Sequence, residues 1–363
     1  MTELHSHAAT HLTTHEHIGF ELGWDYAHHH VTPPAPYAQE PSPLRHGWLA
    51  GQATFGLRTL APTRHVRKWL QLRLHAWLRG RSIELVQVTP NYLQQIETRH
   101  CPITRTPIGN PALETSDASI DRVRNDAGYA AGNLVSMSAR ANQAKAAWGA
   151  ADALVFAARI ETERLPGIDG LGRAEWLRVA DLCSYVTPLA HAAACAWPMR
   201  VLPPNRLRLF NPAQALQAFI SRQFLKAGWS QRIARFESLL PGTGLRRDFK
   251  SFFMTLLSRV IASGAAGDKR GPAATRWAVE DAWGVTGVQE RWARFARQLT
   301  PAQCDRLLAR SAARGLATSV VMALPTDAAT DGWNLAHRGY VAHRPNVAAP
   351  VDRVGAAQRH LAW

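Results

Sequence analysis

Between Ala150 and Ala313 the chain repeats one pattern: apolar residues three and four apart, interrupted by Gly and Pro. Eight segments carry it: Ala150–Glu163, Arg173–Tyr185, Pro212–Ala227, Ser230–Leu240, Arg247–Ala262, Pro272–Ala282, Val288–Leu299 and Pro301–Ala313. Stripes at that spacing are buried when helices pack on one another, so a helical domain is expected over residues 150–330. Val320–Leu324 reads as a strand or a buried helix end, and residues 331–363 as an irregular tail.

Ser119–Lys145 breaks the helical rhythm. Ile120 and Val123 suit a short strand, Asp126-Ala127-Gly128 a turn, and Leu134–Met137 a second strand. Ser138 then fits an N-cap, with Asn142 and Lys145 about one turn apart on one helical face. The fold class that follows is α+β and predominantly helical, with a small ββα unit in the middle. A unit so short buries little apolar surface, so a metal ion or the flanking chain must help hold it.

The chain is strongly basic. Its 42 Lys+Arg against 27 Asp+Glu give a formal net charge of +15, and nearly all the basic residues are Arg. Such a balance favours a polyanionic partner: nucleic acid first, more specifically DNA, and an anionic membrane surface second. No acidic residue occurs from Gly47 to Ser82, a stretch that holds Arg58, Arg64, Arg67, Lys68, Arg73, Arg79 and Arg81. Val66, Trp69, Leu70, Leu74, Trp77 and Leu78 recur there at helical spacing, with Arg64, Lys68 and Arg79 opposite the stripe. Arg73 falls on the apolar side and must snorkel or pair. Arg64, Arg67, Lys68, Arg79 and Arg81 are the candidate phosphate contacts of this stretch. Ser82–Val88 alternates like a strand, and Thr89-Pro90 opens a short helix reaching about Thr98.

Residues 1–46 are rich in His and Pro and read as a partly disordered arm, with Val31–Pro43 as its extended portion. His5, His7, His11, His15 and His17 offer regulatory or adventitious metal binding as the sharper alternative. Cys101, Cys183, Cys195 and Cys304 are scattered and include no CxxC, which points to buried thiols rather than a zinc cluster or disulfide framework. No apolar run is long enough to span a bilayer, and no basic-then-apolar signal opens the chain; a cytoplasmic location without membrane attachment is expected. Protein partners are not indicated. The expected divisions are residues 1–46, 47–149, 150–330 and 331–363.

Cys101 and Thr104, then Ser119, Asp121, Arg122, Gly128, Tyr129, Gly132, Asn133, Asn142 and Lys145 reproduce a spaced pattern: CxxT, S-x-D-R, G-Y-x-x-G-N and N-x-x-K. In this pattern the region at about residues 89–148 resembles a divergent HNH endonuclease module of the ββα-metal superfamily. The resemblance implies a divalent metal, Mg²⁺ or Mn²⁺, held by Asp121 and Asn142 to stabilise charge on a scissile phosphate. It implies that Asn133 orients the loop and that Lys145 faces phosphate or closes the helix. Arg122 stands where the family's general-base His usually stands, and a guanidinium cannot take a proton from water at working pH. Arg122 suits phosphate binding or transition-state charge, and His100, Asp117 or Asp126 remains as a base. The paired cysteines that usually pin such a motif are absent around Cys101.

These features together read as a nucleic-acid-binding protein with an HNH-like module, the resemblance implying a metal-dependent endonuclease. The alternatives are a non-catalytic DNA- or RNA-binding regulator that retains the ββα fold, and a helical interaction or scaffold protein. The helical half shows no Walker loop, GxGxxG or GxSxG and adds no catalytic constellation.

Overall fold

The structure, a computed structural model, describes residues 14–108, 118–263, 272–316 and 330–341. Among these residues it is α+β and predominantly helical, with fourteen α-helices and a single two-stranded sheet. The described residues cluster into two compact units, the first drawn from within 14–95, 126–131 and 332–341, the second from within 96–125 and 132–331.

In the first unit, α1 (Thr14–His28) and α2 (Pro43–Phe55) pack through small residues. Gly19, Gly23 and Ala27 fall four apart on α1, and Gly47 and Gly51 do so on α2. A Cβ added to Gly23 would lie 1.9 Å from the Leu44 carbonyl oxygen, and one on Gly47 1.9 Å from that of Phe20, so only glycine permits this approach. α3 (Arg64–Leu78) completes the core, where Leu22, Tyr26, Leu44, Val66, Leu70, Leu74 and Trp77 meet. Thr63 caps α3 by accepting the Val66 N–H. Arg73, in the apolar stripe, is buried, stacks 4.4 Å over Trp69 and pairs with Asp25. α4 (Pro90–Ile96) starts as expected, with the Thr89 hydroxyl accepting the Tyr92 N–H at 3.2 Å.

Two expectations fail in this unit. Residues 14–46 are not an arm: α1 is formed, and Pro43 opens α2 from a position where a missing N–H costs nothing. His5, His7 and His11 lie outside the described residues. Ser82–Val88 is not a strand either. Only its first residues pair, through Tyr129 N–H to the Ser82 carbonyl at 2.9 Å and Glu84 N–H to the Tyr129 carbonyl at 2.9 Å. Leu85 and Val86 find no core to face and remain exposed, and the Glu84 carboxylate accepts the Gln87 N–H in a turn. The expected irregular tail is anchored at its start: Trp333 is fully buried and donates to the Ala131 carbonyl at 3.0 Å.

In the second unit, β1 (Ala118–Arg122) pairs antiparallel with β2 (Leu134–Ser138), Asp121 opposite Val135 and Arg122 opposite Leu134. α5 (Ala139–Lys145) follows, its first turn capped by the Ser138 hydroxyl. The strands therefore belong with the helical region and not with the basic helix, unlike the expected 47–149 division. Then come α6 (Ala150–Thr162), α7 (Arg173–Ser184), α8 (His191–Ala196), α9 (Pro212–Arg222), α10 (Trp229–Glu237), α11 (Thr243–Ala262), α12 (Pro272–Ala282), α13 (Thr286–Ala296) and α14 (Pro301–Ala313). Each of the eight expected segments overlaps one of these helices, with α10, α11 and α13 starting one, four and two residues earlier than expected. α9 stops five residues early, tightening into a 3₁₀ turn at Gln223–Leu225. Val320–Leu324 lies outside the described residues.

α9 is buried on nearly every side, and most of its polar side-chain atoms find partners inside the protein, Gln217 Oε1 excepted. Gln214 donates to Ser184 Oγ at 2.8 Å, Gln217 to the Trp197 carbonyl at 3.1 Å, and Ser221 to the Gln217 carbonyl at 2.8 Å. Asp181, fully buried on α7, accepts from Arg200 Nη2 at 2.8 Å, Arg200 Nε at 3.0 Å, Arg200 N at 2.7 Å and Trp197 Nε1 at 3.0 Å. Burial pushes its carboxyl up, against those donors.

Candidate functional site

The ββα unit places two rungs of polar contact between β1 and α5. Residues two apart on a strand share a face, and residues three apart on a helix share a face. Ser119 and Asp121 thus meet Asn142 and Lys145. Asn142 Nδ2 donates to Ser119 Oγ at 2.5 Å, and Lys145 Nζ lies 2.9 Å from Asp121 Oδ2. Lys145 Nζ also donates to the Arg122 carbonyl at 3.0 Å. Asp121 is 6% exposed and Lys145 0%, so this is an ion pair removed from water. Burial raises the Asp121 carboxyl pKa, and the Lys145 ammonium and then Arg122 pull it back down.

That geometry answers the resemblance residue by residue. Lys145 faces no phosphate: it is fully buried, and its ammonium neutralises Asp121. Asp121 and Asn142 do face one side of β1, but each is already engaged by a protein partner. A divalent cation does not fit this donor set, because one buried carboxylate already paired with an ammonium leaves no open anionic cradle. Among the described residues no three His, Cys, Asp or Glu side chains gather as metal ligands.

Asn133 is fully buried and clamps residue 124 on both sides. Its Oδ1 accepts the Arg124 N–H at 2.8 Å and its Nδ2 donates to the Arg124 carbonyl at 3.0 Å. Gly132 before it takes φ +86°, and a Cβ there would lie 2.2 Å from Arg208 Cγ. The Gly-Asn step thus has a complete packing explanation. Arg122, half-exposed, donates from Nη1 to the Asn125 carbonyl at 3.0 Å.

His100 stands elsewhere, its ring edge-to-face with Trp277 of α12 at 5.3 Å between centroids and without a hydrogen bond to Asp121 or Asn142. It starts a knuckle closed by Cys101 N–H to the Thr106 carbonyl at 2.8 Å and Arg105 N–H to the Cys101 carbonyl at 2.9 Å. Cys101 is buried, and its Sγ accepts from the Thr104 N–H at 3.4 Å and from Ser138 Oγ at 3.3 Å. A hydrogen-bonded thiol ties knuckle to strand where paired cysteines are missing. Asp117 lies outside the described residues, and Asp126 opens the loop that clusters with the first unit.

Comparison with family models, with characterised proteins and with solved structures returns no match.

On α3, Arg64, Arg67 and Arg79 are exposed, and Lys68 is half-buried, its pKa lowered by burial and then by Arg64. Arg81 stacks 3.7 Å over the Tyr340 ring and donates to the Arg338 carbonyl at 3.0 Å. No helix among the described residues is long and apolar enough to cross a membrane.

Four groups stand outside the roles expected of the motif residues and the basic stretch. The Asp121–Lys145 pair was foreshadowed by N-x-x-K spacing opposite a strand Asp. Asp181 is a lone acid inside an apolar run, a sign of a buried partner. The Gly-x-x-x-Gly spacings of α1 and α2 announce a close helix crossing. The Arg105 guanidinium, which donates to Asp281 at 2.7 and 2.9 Å and to Glu280 at 3.3 Å, left no local signal because its partners lie 175 and 176 residues away.

Proposed function

We propose that this chain is a nucleic-acid-binding protein, with DNA the leading partner, in which the ββα unit is a scaffold rather than a cutting centre. The observation that carries the binding half is the outer face of α3. Arg64, Arg67 and Arg79 are exposed there, and the stretch from Gly47 to Ser82 contains no acidic residue. A one-signed surface on a chain of net charge +15 is suited to phosphate backbone and costly without a polyanion. The Asp121–Lys145 pair supports the scaffold half, because the ammonium takes the place a catalytic cation would need.

The test is retention of labelled duplex DNA across a KCl series, alongside incubation of supercoiled plasmid with Mg²⁺ or Mn²⁺. Salt-sensitive binding weakened by the Arg67→Ala/Arg79→Ala variant, without nicking, is the expected result. No binding to DNA or RNA at low salt would overturn the reading. Metal-dependent nicking abolished by Asp121→Ala would replace it with an endonuclease.

A further inference from the structure

α14 carries a stripe of arginine that has no partner among the described residues. Arg306, Arg310 and Arg314 are exposed and recur every four residues, the last as C-cap, so they share one face. Their guanidinium groups make no hydrogen bond or ion pair with any described residue. Other arginines of this unit are consumed internally: Arg200 by Asp181, Arg105 by Glu280 and Asp281, Arg232 by the Ala227 and Lys226 carbonyls.

No acidic residue stands three or four positions from any member of the stripe; Asp305 adjoins Arg306 but is five residues from Arg310. Like charges at this spacing cost a helix about 0.2–0.5 kcal/mol per pair, and no acid at that spacing offsets it. At the C-terminal end, exposed Arg235 of α10 donates from Nη2 to the Arg314 carbonyl at 3.1 Å and brings a fourth guanidinium alongside. The remaining exposed residues of α14 are Pro301, Asp305 and the small Ala302, Ala309, Ala312 and Ala313. A membrane-surface helix needs bulky apolar groups to insert, and this face has none.

We infer that the Arg306–Arg310–Arg314 stripe, with Arg235 at its end, is a second contact surface for the phosphate backbone of nucleic acid, engaged without regard to base sequence. Successive arginines rise by about 6 Å along the helix, which lets each meet a separate phosphate. This rests on the reading of the chain as a nucleic-acid binder, and places the grip of the second unit on its helices rather than on its ββα face.

The experiment measures the affinity of the full chain for a fluorescein-labelled, random-sequence DNA duplex by anisotropy over a KCl series. The comparison is wild type against Arg306→Ala/Arg310→Ala/Arg314→Ala. Loss of three phosphate contacts makes the slope of log affinity against log salt shallower by about 2.7, at 0.9 per phosphate. An unchanged slope in the triple variant, with wild type still binding, overturns the stripe alone; absence of wild-type binding overturns the general reading. Flotation with phosphatidylserine vesicles that the triple variant loses while keeping its DNA affinity would reassign the stripe to a membrane. Should the triple variant melt lower than wild type, Arg310→Glu read the same way decides.

Discussion

Lys145 Nζ stands 2.9 Å from Asp121 Oδ2, and both side chains are buried. One contact joins the start of the ββα unit to its end and explains why a Lys closes the helix. It also converts what looks like a metal ligand into half of a neutralised pair.

Breaking that pair from either side leaves a charge stranded away from water. Lys145→Met is expected to destabilise the protein by about 3–5 kcal/mol in urea unfolding, whereas the Asp121→Leu/Lys145→Met double variant recovers most of the loss. A single variant with stability near wild type would show that the pair is exposed or unformed.

Gly23→Ala tests the α1–α2 crossing. The added methyl must displace the Leu44 carbonyl, so a loss of about 1–3 kcal/mol is expected, more than helix propensity alone could return. A stabilised variant in thermal melting would mean the helices are farther apart than described.

Acid should weaken the first unit. Burial, then Arg79 and Lys68, lowers the pKa of His75; burial, then His28, lowers that of His29; burial, then Arg64, lowers that of His65. A histidine with a depressed folded pKa binds its proton more readily when unfolded. Its stabilisation is therefore present above the unfolded value of about 6.5 and lost as pH falls through it toward the folded value. Asp121 and Asp181, raised by burial, act oppositely: their share is present at low pH and lost as pH rises past the unfolded carboxylate value. The histidine share is read as a difference: the drop in Tm between about pH 7.5 and about pH 5.5 should be smaller in His75→Gln than in wild type. Equal drops would remove His75 from the account.

The cysteines should be silent in the folded protein. Burial pushes the Cys183 and Cys195 thiols up to about 11 and that of Cys304 to about 12, and Cys101 is equally enclosed. An aromatic disulfide reagent at neutral pH is expected to leave the native chain unmodified and to titrate four thiols in guanidinium. Rapid reaction of a native thiol would contradict the burial.

Local chemistry made much of the architecture legible. Apolar spacing located α6, α7 and α9–α14, Ser138 and Thr89 announced their caps, and α12 and α14 begin and end where expected. Those signals are written within a few residues of the place where they act. Residues 14–46 misled because their polar, His- and Pro-rich composition outweighed the glycine spacing that lets α1 and α2 pack. Ser82–Val88 misled because alternation makes a strand only where a partner edge runs its full length, and here pairing ends at Glu84.

The sequence by itself determined the helical class, the ββα order and the cationic balance, since backbone propensity, turn chemistry and charge are local or additive. Tertiary structure alone decided what the motif residues do. Whether Asp121 is open to a cation or closed by Lys145 depends on where a helix 24 residues later sets down its last turn, and burial makes that choice between a ligand and an ion pair.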